Sequence, residues 1–174
     1  YDTIEVTATA ITPVTCFGDT DGELEINVTG YTGNYNYQVY LTDGTPTAIS
    51  GTGNTATNPM TITGLSANNV YVEVLATDTP FCSDNSNTVT IGSPNAPLQL
   101  NLISNINANC NTGAQVTVRA TGSTPAYEYA FVPTTTSPAG LYGPSANATL
   151  SPAVYPADYD VYVRDSMGCT TMIT

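Results

Sequence analysis

Residues 24–39 read LEINVTGYTGNYNYQV, and residues 116–131 read VTVRATGSTPAYEYAF. A constant offset of 92 lays Leu24 on Val116, Ile26 on Val118, Gly30 on Gly122, Tyr35 on Tyr127, Tyr37 on Tyr129 and Val39 on Phe131. One cysteine stands before each block (Cys16, Cys110) and another closes each unit (Cys82, Cys169). An internal repeat of this period means an array of small modules, each a domain in its own right.

Working outward, Thr, Val, Ile and Tyr alternate with period two, and Gly, Pro and Asn punctuate the chain every 8–12 residues. That pattern predicts an all-β sandwich. In the first unit strands are expected at residues 4–8, 23–29, 35–41, 60–63, 70–76 and 88–91. Within 23–29, Leu24, Ile26 and Val28 share one face. In the second unit they are expected at 98–103, 115–121, 127–132, 149–150 and 159–164, with a closing strand from about residue 170. The segments 42–58 and 133–148 show no strand pattern and are the long variable loops, where a ligand site would sit. The stretch Gly92-Ser93-Pro94-Asn95-Ala96-Pro97 reads as a short, semi-rigid joint because proline limits flexing. The domains are therefore expected at 1–94 and 95–174, the second cut short in its last strand, as a piece of a longer secreted polypeptide.

Composition narrows the function. Of 174 residues, two are cationic, Arg119 and Arg164, against fourteen carboxylates; His is absent and the net charge is −12. Acid–base and nucleophilic catalysis draw mostly on His, Lys, Cys or paired carboxylates, so the chain is not expected to be an enzyme. The acidic balance argues against nucleic acid and against docking on an anionic membrane. Charged residues make up 9% of the chain, far below the roughly 25% of an average soluble protein. Thr and Asn take their place, as on many secreted β proteins.

Four cysteines allow three connectivities. Pairing inside each unit, Cys16 with Cys82 and Cys110 with Cys169, is the one that gives every repeat its own bridge. Closing a loop of about 60 residues would stabilise a unit by roughly 4 kcal/mol in the chain-entropy model. No pair has the spacing of a zinc site, so no metal and no cofactor is expected. Asp19, Asp21 and Glu23 look like part of a calcium loop, but the second unit has no carboxylate in the matching place, and a solvated turn is the simpler reading. Tyr35, Tyr37, Tyr127 and Tyr129 fit packing between sheets. Tyr31, Tyr40, Tyr142 and Tyr162 are the rings left for a sugar-stacking surface.

The ordered pattern is Cys, a Gly/Asn or acidic turn, a strand ending in Gly, then Tyr-x-Tyr, and finally Tyr-x-Val-x-Val-x-Asp-x-x-Gly-Cys. The second half is the clearer copy, from Asn109-Cys110-Asn111 through Gly122 and Tyr127-Glu128-Tyr129 to the run Tyr159–Cys169. This resembles the SprB-type repeat of Bacteroidetes gliding-motility adhesins, in two tandem copies. The first half departs at its close, where Asp78-Thr79-Pro80-Phe81-Cys82 replaces Asp-x-x-Gly-Cys. The resemblance implies two tandem immunoglobulin-like sandwiches within a long cell-surface filament, exported by type IX secretion and attached to the outer membrane. The partners it implies are neighbouring repeats of the same polypeptide and a surface polysaccharide or abiotic surface. The rival readings are a carbohydrate-binding pair on a secreted enzyme and a subunit of a non-motile extracellular fibre. Asp2-Thr3-Ile4 and Asp165-Ser166-Met167 resemble Bacteroidetes O-glycosylation sites, which would place sugar on Thr3 and Ser166.

Overall fold

A computed structural model describes residues 3–109, 111–150 and 158–174 of the chain. It contains fourteen strands: β1 Glu5–Thr12, β2 Gly22–Thr29, β3 Asn34–Leu41, β4 Pro46–Asn54, β5 Met60–Leu65, β6 Asn69–Ala76, β7 Ser83–Asn85, β8 Val89–Thr90, β9 Gln99–Ile106, β10 Ala114–Thr121, β11 Glu128–Pro133, β12 Asn147–Leu150, β13 Tyr159–Arg164 and β14 Thr170–Ile173. Two compact units result, Tyr1–Ser93 and Pro94–Thr174.

In the first unit, one sheet has the order β1-β2-β5 and the other β4-β3-β6-β7, with β8 also on β6. That division is the immunoglobulin type of sandwich. Alternation along β2 buries Leu24, Ile26 and Val28, and they meet Tyr35 and Val39 of β3 and Val70, Val72 and Val74 of β6 in one core. The second unit sets β12-β10-β9 against β11-β13-β14. Among the described residues its core holds Leu100, Val116, Val118, Ala120, Tyr129, Val161 and Val163. β10 lies 92 residues after β2 at both of its ends, as the repeated blocks require.

The repeated glycine has a steric cause. Gly30 and Gly122 both have positive φ, and a Cβ on either would come within 2.0 Å of a backbone carbonyl, that of Thr3 or of Pro97. Each glycine lets the incoming chain pass directly over the turn that follows β2 or β10. Thr3 and Pro97 are thus equivalent positions.

β4 lies inside the segment 42–58, which the sequence marks as a loop, and this expectation is corrected. The strand is rich in Gly and Thr because rings of β3 lie over its backbone. A Cβ on Gly53 would strike Tyr35 at 2.4 Å, and one on Gly51 would strike Tyr37 at 2.7 Å. Glycine weakens the strand signal at the places where tyrosine needs room.

Polar side chains close the sandwich along the outer edge of β1. Val6 N donates to Asp84 Oδ2 at 3.0 Å, Ala8 N donates to Asn87 Oδ1 at 2.9 Å, and Asn87 Nδ2 donates back to Ala8 O at 3.0 Å. These side chains satisfy an edge that would otherwise offer itself to another strand.

Cys16 and Cys82 do not pair as expected. We call the end of a unit where its chain comes in the proximal pole and the end where it leaves the distal pole. Cys16 follows β1 at the distal pole, beside the Asp21 turn, where Val14 N also donates to Gly92 O. Cys82 is at the proximal pole, its carbonyl accepting from Ala76 N at 2.8 Å. The eight residues of β1 lie between the poles. At ~3.3 Å per residue they hold the two ends about 25 Å apart, whereas a disulfide needs Cα atoms within about 7 Å. Cys82 accordingly has a free thiol. Cys16 is disulfide-bonded, but not to Cys82. Cys110, expected to pair with Cys169, lies outside the described residues.

Replacing Asn87 by alanine leaves the N–H and C=O of Ala8 without their partner. The first unit should lose about 1–3 kcal/mol in urea unfolding, with hydrogen exchange rising first in β1. Unchanged exchange there would show that the edge closure contributes nothing.

Candidate functional site

Among the described residues no three His, Cys, Asp or Glu side chains gather to hold a metal. Two of the three calcium-loop carboxylates have other tasks. Asp21 accepts from Thr15 N at 2.9 Å, and its hydrogen bonds from Thr15 hold its carboxyl below the usual range. Glu23 accepts from Thr12 Oγ1 at 3.1 Å.

The tyrosines left for a sugar-stacking surface are also engaged. Tyr40 stacks on Tyr71 with ring centroids 5.4 Å apart, so each gives one face to the other. Tyr142 lies under the Arg164 guanidinium at 4.5 Å, and that guanidinium pairs with Glu128. Tyr31 donates to Asp78 or to the Asn34 carbonyl, both at 2.9 Å. Tyr162 is half-buried in β13.

The proximal poles hold the concentrated chemistry. In the first unit a cleft of about 620 Å³ opens between Ile4, Tyr31, Asp78, Pro80 and Cys82. The Cys82 thiol is half-buried at this cleft, and Phe81 beside it is 57% exposed. Strand register makes Cys82 and Cys169 equivalent: Leu75 pairs with Ser83 as Arg164 pairs with Thr170. Phe81 therefore takes the place of Gly168. Both have left-handed backbone, φ 58 and φ 91. Glycine accepts that conformation freely, whereas a residue with a Cβ is strained there.

In the second unit the matching turn is built on Asp165, which is buried. Its Oδ1 accepts from Met167 N at 2.9 Å and Cys169 N at 2.8 Å, and its Oδ2 accepts from Ser123 Oγ at 2.6 Å and Thr124 N at 3.2 Å. Burial would raise its pKa, but these four hydrogen bonds together outweigh burial and lower it. The Asp-x-x-Gly-Cys run is thus a folding device: the carboxylate ties the turn and the glycine lets it close onto the cysteine. The two residues expected to bear sugar are both exposed. Ser166 Oγ lies 3.0 Å from the carbonyls of both Thr124 and Pro125, within donating distance of each.

Residues 3–45 match the model of the SprB repeat family. The span runs from the residues before β1 to the turn after β3 and includes Cys16, Gly30, Tyr35 and Tyr37. The family consists of structural repeats associated with cell-surface, adhesin-like proteins. No curated protein matches the chain. No helix among the described residues is long and apolar enough to cross a membrane.

Two outcomes follow for the turns. A carboxylate with a lowered folded pKa stabilises above the ordinary aspartate range, and that stability is lost as pH falls through the folded value. Hydrogen exchange in β10 and β13 should therefore accelerate below about pH 4. Asp165→Asn should lose about 2 kcal/mol at neutral pH and flatten that dependence; equal pH slopes would overturn the assignment. Phe81→Gly should raise the stability of the first unit by about 1 kcal/mol by removing the left-handed strain, measured by urea unfolding. A loss instead would mean that the ring packs against the cleft.

Proposed function

With an SprB repeat in residues 3–45 as the premise, we propose that the chain is a pair of tandem SprB-type modules. They form a spacer segment of a long bacterial surface adhesin that serves attachment and gliding and leaves the cell by type IX secretion. The observation that carries this reading is the family match. It is supported by the second unit, which repeats the β2–β3 blocks, the close-passing glycine and the proximal cysteine of the first.

The role is mechanical. Each unit has its own core, and the units act as spacers that hold a distant adhesive region away from the cell. Few charges, abundant Thr and Asn, and a net charge of −12 suit a surface that repels its copies and stays solvated. The partners are neighbouring repeats and, through the rest of the filament, a polysaccharide or abiotic surface. Of the two glycosylation positions, Thr3 is the better candidate, because the Ser166 hydroxyl is already held by backbone carbonyls.

An antibody against this segment tests the proposal on intact cells. A very large, protease-sensitive surface band, lost when type IX export is blocked, is the expected result. A small soluble band in the medium would overturn it in favour of a secreted binding module.

A further inference from the structure

We propose that the outer edge of β9 is a self-association surface, on which β9 of a second copy of this chain pairs antiparallel about a two-fold axis at Asn101. The inference goes beyond the spacer role and depends on the second unit alone.

β9 has the position in the second unit that β1 has in the first. Val6 pairs with Val28 and Ala8 with Ile26, as Leu100 pairs with Ala120 and Leu102 with Val118, so Thr7 and Asn101 are also counterparts. Along an antiparallel strand, successive residues turn both backbone groups alternately toward the paired neighbour and away from it. Val6 and Ala8 turn theirs away, where Asp84 and Asn87 meet them. Leu100 and Leu102 present the same groups at the edge of β9, but the side chains that would meet them are replaced. Tyr129 pairs with Val163 and Val163 with Thr171, as Tyr37 pairs with Val74 and Val74 with Asp84. Thr171 therefore stands in the place of Asp84, and Thr174, three residues further on, in that of Asn87. Thr174 Oγ1 donates to Asp160 Oδ1 at 2.9 Å instead. Among the described residues no side chain bonds the backbone of Leu100 or Leu102.

The same edge is apolar and bare of charge. Leu102 is 53% exposed where its counterpart Ala8 is buried, and Ile103 and Ile106 are exposed beside it. From Asn85 to Val118 the chain has no charged residue, and β9 has no proline. Sheets ordinarily guard an open edge with charge or proline. Copies of a protein with net charge −12 repel one another, so a contact between them belongs where charge is absent. A charged partner would find no countercharge along β9, whereas a second copy brings the same bare strand and meets it by a two-fold rotation. With the axis at Asn101, Leu100 and Leu102 of one copy pair with Leu102 and Leu100 of the other, each pair exchanging N–H···O=C bonds in both directions. The sheet β12-β10-β9 then continues into that of the second copy, and the Leu102 side chain leaves water. The register shift beside Ile103 ends the regular stretch, so the pairing is short and the association weak.

The test is sedimentation equilibrium of the full chain from micromolar concentration up to roughly 1 mM. A monomer that becomes a dimer over this range is expected. Hydrogen exchange at the Leu100 and Leu102 amides should slow about tenfold over the same range, while that at Val6 and Ala8 stays constant. Asn101 is exposed, so Asn101→Lys keeps the fold. It sets like charges opposite each other in this pairing, next to Arg119 on β10. That variant should stay monomeric at every concentration. Thr7→Lys, the same change at the counterpart position on the closed edge of β1, should dimerise as the parent does. A parent chain that remains monomeric throughout would overturn the proposal, as would a dimer that survives Asn101→Lys or one that Thr7→Lys abolishes equally. The readout is taken on purified protein, so it fails or succeeds apart from the cell-surface experiment.

Discussion

Eight residues of β1 run between the poles of the first unit, and an extended backbone cannot be shortened. Every covalent choice open to the cysteines follows from that. Cys16 and Cys82 begin and end the same unit, yet the strand that begins the sandwich keeps them apart. Cysteines at opposite ends of a rigid body cannot staple it, and the first unit holds together without a bridge between its ends.

Each unit relies on its core and on the side chains that finish its backbone. The wealth of Asn, Asp and Thr is largely spent there. Asp84 and Asn87 close the edge of β1, Asp21 and Asp43 tie turns, Asn109 holds the distal turn of the second unit, and Asp165 organises the proximal one. A short polar side chain that meets a backbone N–H does the work of a further strand residue without adding surface. The surface is low in charge because its polar groups face the chain as much as the solvent.

Most of the fold was legible in the repeat itself. Alternation at Leu24, Ile26 and Val28 gave the buried face of β2, and the offset of 92 found its counterpart in β10. β4 was not legible, since Gly51 and Gly53 are chosen for the rings of Tyr35 and Tyr37, a contact between strands that no local pattern records. The disulfide pairing was misread for a related reason. Sequence order places Cys16 after the first strand and Cys82 before the last, which suggests adjacent edges. Only strand direction shows that β1 ends at one pole while the turn after β6 lies at the other. Asp165 and Gly168 stood out as a motif, but the sequence could not say that the carboxylate gathers four donors.

The four donors of Asp165 come from two separate places in the chain, Ser123 and Thr124 before β11 and Met167 and Cys169 after β13. One carboxylate therefore acts as a clasp: neither loop opens without releasing the other, and the two ends of the β11–β13 pair come apart together.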